Sequence, residues 1–369
     1  MTIRVRFALG LLLASVIGGT VWTQSRGPAE VPAGEKLSSP HPRGYICYRA
    51  AKPPVLDGKL DDDAWKSAPW SEDFGDIEGD RRPAPRFRTR VKMLWDDKCL
   101  YIGAELEEPH VWATLTRHDS VIFNDNDFEV FLDPDGDSHL YAELELNALN
   151  TTWDLLLPKP YKDGGRAIDA WEITGLRTAV HVDGSLNAPR DRDRGWSVEI
   201  AWPWQGIKEL TAGRVPPRDG DRWRINFSRV EWDTEIVEGK YRKIAGRKEH
   251  NWVWSPQGVI DMHRPERWGY LEFSTAAPGS VAFRPDPAHA ARDVLHRIYY
   301  AQRAYRDKHG RWAKTLDALG LADLGHPSLI GLPVLETTAS LYEAHVTLRR
   351  PDAALRQWHI RSDARVWGD

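Results

Sequence analysis

The chain has 369 residues, with 50 Lys and Arg against 54 Asp and Glu and a formal net charge of −4. So even a balance excludes the basic footprint of a nucleic-acid or anionic-membrane binder. The length suggests about two domains, and 18 Trp, 14 of them from Trp65 to Trp268, make the middle of the chain aromatic-rich. Trp suits both sandwich cores and flat, polar-edged ligands.

At the N-terminus, Arg4 and Arg6 precede an apolar run from Phe7 to Trp22. This is the pattern of a secretory signal, placed at residues 1–24. It is shorter than the ~20 residues of a spanning helix, so the mature protein is expected to be secreted, periplasmic or on the cell surface, without a membrane span. Residues 25–44, rich in Pro, Gly and Ser, read as a linker. Only Cys47 and Cys99 follow. In an exported chain they suggest one disulfide, with two separate buried thiols the equal alternative.

Residues 45–275 carry many short alternating strands with frequent turn signals, the pattern of an antiparallel all-β sandwich of immunoglobulin or jelly-roll kind. Arg90–Trp95 turns inward Val91, Met93 and Trp95, and an Asp-Asp-Lys turn leads to a partner strand, Cys99–Glu107. The organising stretch is 124–157. Phe128, Val130 and Leu132 share one face of its first strand, as do Ala142, Leu144 and Leu146 of its second. Glu129, Glu143, Glu145 and Asn147 fall on the other face. A third strand alternates Trp153, Leu155 and Leu157 with Thr152, Asp154 and Leu156. Further on, Trp196, Val198, Ile200 and Trp202 face in and Glu199 out. In Trp223–Arg229, Trp223, Ile225 and Phe227 face in, while Arg224, Asn226 and Ser228 join the polar face.

Val55-Leu56-Asp57-Gly58 with Ala64-Trp65, Trp95-Asp96-Asp97, Asp127 to Asp133, Glu143 to Asn147, Trp196 to Trp204, Trp223 to Arg229 and His263-Arg264-Pro265 with Trp268-Gly269 occur in a fixed order. In that order they resemble the carbohydrate-binding modules of family 9 and their DOMON-like sandwich relatives, over about residues 45–274. The resemblance implies non-catalytic glycan binding, in support of polysaccharide recognition or breakdown beside glycan-degrading enzymes. It places Glu129, Asn147 and Asn226 in the ligand site, with Glu145 where sugar-binding members carry a basic residue, and Arg224 on the same face. Phe123 falls nearest the first stacking aromatic and Met262 near the second, so the two-Trp clamp is missing; Trp112, Trp171 and Trp252 are candidate replacements. Sugars offer hydroxyl arrays and apolar C–H faces, which charged or amide groups plus an aromatic plane can meet.

Asp133, Asp135 and Asp137 resemble the start of a calcium loop, although Gly136 is misplaced and Leu144 stands where the bidentate Glu belongs. A tight acidic hairpin is the competing reading. Family members hold structural calcium, and the Asp57 to Asp63 loop is a second candidate. The DOMON-like relatives imply a haem-binding electron-transfer alternative through Met93, Met262 and His263. A glycoside hydrolase would need two carboxylates ~5–9 Å apart with separated pKa values, for which Glu129, Glu143 and Glu145 are the candidates. No zinc spacing, phosphate loop or nucleophile elbow is present. Beyond Pro278 the character changes. Ala288–His309 has helical spacing ending at Gly310, Thr315–Leu321 reads as a short helix, and Leu341–Leu348, Gln357–Arg361 and Ala364–Trp367 as strands. Residues 285–369 are thus expected to form a small α+β accessory domain, loosely resembling the periplasmic half of pilin-like proteins.

Overall fold

The computed structural model describes residues 41–350 and 354–369, so the signal reading and nearly all of the linker lie outside the described residues. No helix among the described residues is long and apolar enough to cross a membrane.

The first part of the chain forms β1 (Gly44–Arg49), α1 (Asp63–Ser67), β2 (Gly75–Asp76), β3 (Thr89–Trp95), β4 (Cys99–Glu107), β5 (Asp127–Asp133), β6 (Tyr141–Asn147) and β7 (Thr152–Leu157). There follow β8 (Arg177–Asp183), β9 (Gly195–Pro203), β10 (Arg222–Glu231), a separate hairpin of β11 (Thr234–Val237) and β12 (Lys240–Lys243), β13 (His250–Val253) and β14 (Gly269–Ser274). One sheet runs β7-β6-β5-β10-β14-β1-β3-β4-β9-β8, with β13 beside β10 and β2 beside β13. Strand twist lets so long a ribbon curl until its two halves face each other. Their inner faces meet in one core, where Val91, Ile102, Val130, Leu144, Val198, Ile225 and Leu271 pack together. The expected sandwich forms, with one departure from the antiparallel expectation: β1 pairs parallel with both β14 and β3.

The register follows the apolar alternation. Phe128 pairs with Leu146, Val130 with Leu144 and Leu132 with Ala142, all facing the core. Cys47 lies in that core, whereas Cys99 belongs to a smaller cluster with Tyr48, Trp65 and Tyr101. With β3 between their strands and their side chains in different clusters, both remain free thiols. The disulfide expectation is therefore corrected to the two-thiol alternative.

The entry segment is held by one carboxylate. Glu199 accepts hydrogen bonds from the amides of Asp57 (2.8 Å) and Gly58 (2.7 Å) and from Trp65 Nε1 (2.6 Å). Gly58 has φ +86°, and a Cβ there would sit 2.5 Å from the backbone nitrogen of His181, so only Gly fits. Glu199 does point away from the inter-sheet core, as its alternation requires, yet it is wholly buried beneath this segment. Glu199→Ala leaves three donors unserved, those of Gly58 and Trp65 buried. Roughly 3 kcal/mol of stability should be lost in urea denaturation; a loss below ~1 kcal/mol would mean the clamp is dispensable.

The C-terminal part places α2 (His289–His309) against an antiparallel sheet of β15 (Leu329–Thr337), β16 (Tyr342–Arg349), β17 (Leu355–Arg361) and β18 (Val366–Gly368), in that order. Ala291, Val294, Leu295 and Ile298 of the helix pack on Ala344, Val346 and Ile360, making a second core. Gly310 ends the helix in the left-handed conformation. The helix expected at Thr315–Leu321 is only a 3-10 turn, Asp317–Leu319. β15 was not anticipated, because Gly331 and Pro333 interrupt its alternation. It is an edge strand with a register shift between Ile330 and Val334, where Pro is tolerated.

Candidate functional site

The outer face of β5, β6 and β10 is not open. Phe131, Tyr141, Leu155 and Leu157 on its strands are covered by Val253, Met262 and Trp268, which form an apolar cluster there. In β7, Trp153 and Leu155 lie beside Glu145 and Glu143, so that strand turns large apolar side chains outward and Leu156 inward. The polar face expected from the alternation is thus the floor of a second packed layer.

The consequences differ residue by residue. Glu129 and Glu145 are directly opposite in the register and are 5 % and 2 % exposed. Glu145 accepts the Phe123 amide at 2.9 Å, and Phe123, the most exposed of the expected site residues, stands 6.4 Å from the Trp153 ring. Asn147 is fully buried; its amide group donates to Leu115 O and Asp125, and its oxygen accepts from Leu149 and Thr151. Asn226 makes a two-way clamp with the backbone of Ser255. Arg224 sits at the far end of the strand, donating to Pro265 O and Glu266 O. Asn147, Asn226 and Arg224 therefore hold backbone, and none of them converges with Glu129 on a water-facing groove. This corrects the expected ligand set: distant loops satisfy these polar groups by covering them.

Burial dominates the electrostatics of what remains. It raises the Glu129 carboxyl from 4.5 to about 7, with repulsion from Glu249 adding to it, and pushes Asp127, Glu143 and Glu145 well above the usual carboxylate range, where repulsion from Glu129 adds to burial. Asp127, Glu129 and Glu145 offer oxygens within 4.8 Å of one another.

The acidic turn has a structural role beside the one expected. Asp133, Asp135 and Asp137 do bring oxygens within 4.8 Å. Asp133, however, accepts the amides of Gly136 and Ser138, both at 2.9 Å, and Asp137 pairs with Arg365 Nε at 2.8 Å. Gly136 O accepts from Arg292 Nη1 and Asp137 O from the Val366 amide. The turn is thus the dock for the C-terminal domain, and proximity alone speaks for a cation there. Asp62, in the other acidic loop, caps α1 and accepts the Val55 amide. For haem, Met93 lies in the inter-sheet core while Met262 and His263 cover the opposite face of the sheet, so Met93 cannot join either as an axial pair.

A real cleft, of about 250 Å³, opens at one end of the sandwich. Its rim carries Arg86, Phe87, His110 and Trp232, and its floor Glu108, Trp112, Asn126 and Glu231. Arg229 Nη2 donates to Glu108 (2.7 Å) and Glu231 (2.8 Å). Asn126 donates to the same two carboxylates and accepts the Trp232 amide at 2.8 Å. Arg86 bridges Glu231 (3.1 Å) and Asp233 (3.0 Å). Trp112 Nε1 has no hydrogen-bond partner among the described residues. Burial and then the neighbouring Glu231 raise the Glu108 carboxyl well above its ordinary range, against the pull of Arg229.

Trp112 is among the expected replacement aromatics; the other residues of the cleft were passed over, yet a signal for them exists. Arg229 and Glu231 continue the inward phase of Trp223, Ile225 and Phe227, and Glu108 continues that of Leu100, Ile102, Ala104 and Leu106. Charges in phase with a core mark the place where the core opens.

A curled β-sandwich with an aromatic and carboxylate-lined cleft at one end defines a ligand-binding module. The chain belongs to the carbohydrate family 9 binding domain-like family, whose model matches residues 56–252. Among solved structures it is similar to a family 9 carbohydrate-binding module from Caldicellulosiruptor kristjanssonii in complex with cellotriose, at 17 % identity, TM-score 0.42, 65 % of this chain and 100 % of that one. The complex of such a module with glucose gives 18 %, 0.41, 65 % and 100 %. A protein from Bacteroides uniformis, titled as carbohydrate-binding, gives 14 %, 0.46, 63 % and 100 %. No curated protein matches the chain.

Proposed function

We propose that this chain binds carbohydrate without hydrolysing it, and that the sugar enters the cleft at the end of the sandwich rather than the covered sheet face. The observation that carries the reading is the convergence of the Trp112 and Trp232 rings with Glu108, Asn126 and Glu231 around one opening. Aromatic planes meet C–H faces, and carboxylates and amides meet hydroxyls. The cleft is smaller than the roughly 300–1,000 Å³ of drug-sized pockets. It therefore suits one ring, or the end of a chain, better than a stretch of polymer.

Binding is favoured over hydrolysis because Glu108 and Glu231 share the donors of Arg229 and Asn126. Carboxylates drawn together on common donors do not flank a glycosidic bond. The apolar N-terminal run and its arginines support export, and with it a role beside glycan-degrading enzymes; cell fractionation tests the first point and co-purification the second.

Calorimetry with glucose and cellotriose, followed by a glycan array, tests the sugar site. Trp232→Ala, at a half-buried rim position, is expected to weaken binding by about tenfold or more, and Arg86→Ala to weaken it less. Equal affinity in both variants would move the site elsewhere, and failure of every glycan to bind would end the carbohydrate reading.

A further inference from the structure

We infer that a second cleft, where the C-terminal domain meets the sandwich, binds a small oxyanion. This does not rest on the sugar site. The cleft is about 210 Å³ and is bordered by Arg222, Arg224, Arg292, Arg350 and Arg356 against two carboxylates, Asp135 and Asp286. Glu272 neutralises Arg222, and Asp286 lies 3.8 Å from Arg292 Nε. Among the described residues, Arg224 and Arg356 have no carboxylate within 4.0 Å.

Arg224 is the more telling of the two. It is only 4 % exposed, and its guanidinium lies 4.0 Å over the Tyr270 ring. Backbone carbonyls receive its Nε and Nη2, and Nη1 has no protein acceptor among the described residues. Asp286 and Asp133 are near enough to favour its charge but not to pair with it, and a buried guanidinium with no carboxylate in contact is costly unless an anion completes it.

Three further donors around the same cleft have no acceptor among the described residues: Arg292 Nε, Arg356 Nε and the indole Nε1 of Trp358, a residue 6 % exposed. The wall also includes Ala288, where the 21-residue α2 begins; its amide is already served by Asp286 Oδ1 at 3.0 Å, so the selectivity of the cleft comes from the arginines and the indole. Unserved donors and excess positive charge together select a compact group rich in acceptor oxygens. Phosphate, sulfate and the carboxylate of an acidic sugar share that chemistry.

Calorimetry and thermal shift on the full chain test this with inorganic phosphate and with glucuronate. Phosphate is expected to raise Tm, and Arg356→Gln to weaken phosphate binding about tenfold, the loss of one charge-assisted hydrogen-bonding group. Arg350→Gln, at an exposed rim position, keeps the fold and should also weaken it. Trp232→Ala, in the sugar cleft, should leave it unchanged. Phosphate binding without glucuronate binding supports a free oxyanion; glucuronate binding in competition with phosphate supports an acidic sugar. Absence of heat and of a Tm shift with both probes, or wild-type affinity in both arginine variants, overturns the inference.

Discussion

Replacing Glu129 by Gln is expected to raise the unfolding free energy by about 3 kcal/mol near pH 8 and to change it little near pH 4. The folded carboxyl titrates at about 7 against an ordinary value of 4.5, burial being the largest cause. A group raised in the folded state stabilises fully below its unfolded pKa, and that stability drains away as pH rises through the folded value. For this group the window is ~4.5 to ~7, and a gap of about 2.5 units corresponds to ~3 kcal/mol. Gln mimics the protonated carboxyl and cannot ionise, so the variant keeps what the wild type loses. Asp127, Glu143 and Glu145 are raised as well, so the group titrates together and removing one member eases the rest. Urea denaturation at a series of pH values reads this directly. Parallel pH profiles for the two proteins would mean that Glu129 is solvated and the covering layer open.

Arg229→Met is expected to destabilise the protein by about 3–5 kcal/mol and to abolish sugar binding in the end cleft. Arg229 is fully buried and holds Glu108 and Glu231, while its Nη1 serves Glu107 O at 2.8 Å and Thr89 Oγ1 at 3.2 Å. Removing the buried cation leaves Glu108 without an ion-pair partner and Glu231 with the rim residue Arg86 alone (3.1 Å), the costly way to break such a network. Adding Glu108→Gln and Glu231→Gln to the same chain should recover part of the loss, since the uncompensated charges go with it. A small effect of Arg229→Met with no recovery in the triple variant would show that water already reaches these groups.

Much of the sandwich was legible residue by residue. The pairing of Phe128 with Leu146 and Val130 with Leu144, the helix ending at Gly310, and the alternation in β9 and β10 follow from apolar periodicity and from the backbone freedom of Gly. The candidate site was legible only in part. The register did bring Glu129 and Glu145 together, but whether that face meets water depends on Val253, Met262 and Trp268, more than a hundred residues away in the chain.

Alternation along a strand determines which side of the sheet a side chain leaves from, because that is a local property of the extended backbone. It does not determine what lies over that side. Here the tertiary packing decided three things. It roofed the acidic face with apolar loops, it made the Asp133–Asp137 turn a dock for the C-terminal domain, and it put the openings at the end of the sandwich and beside the helix N-terminus. Cover is a long-range contact, fixed by how the ends of the curled sheet and their loops fold back, and no local pattern encodes it.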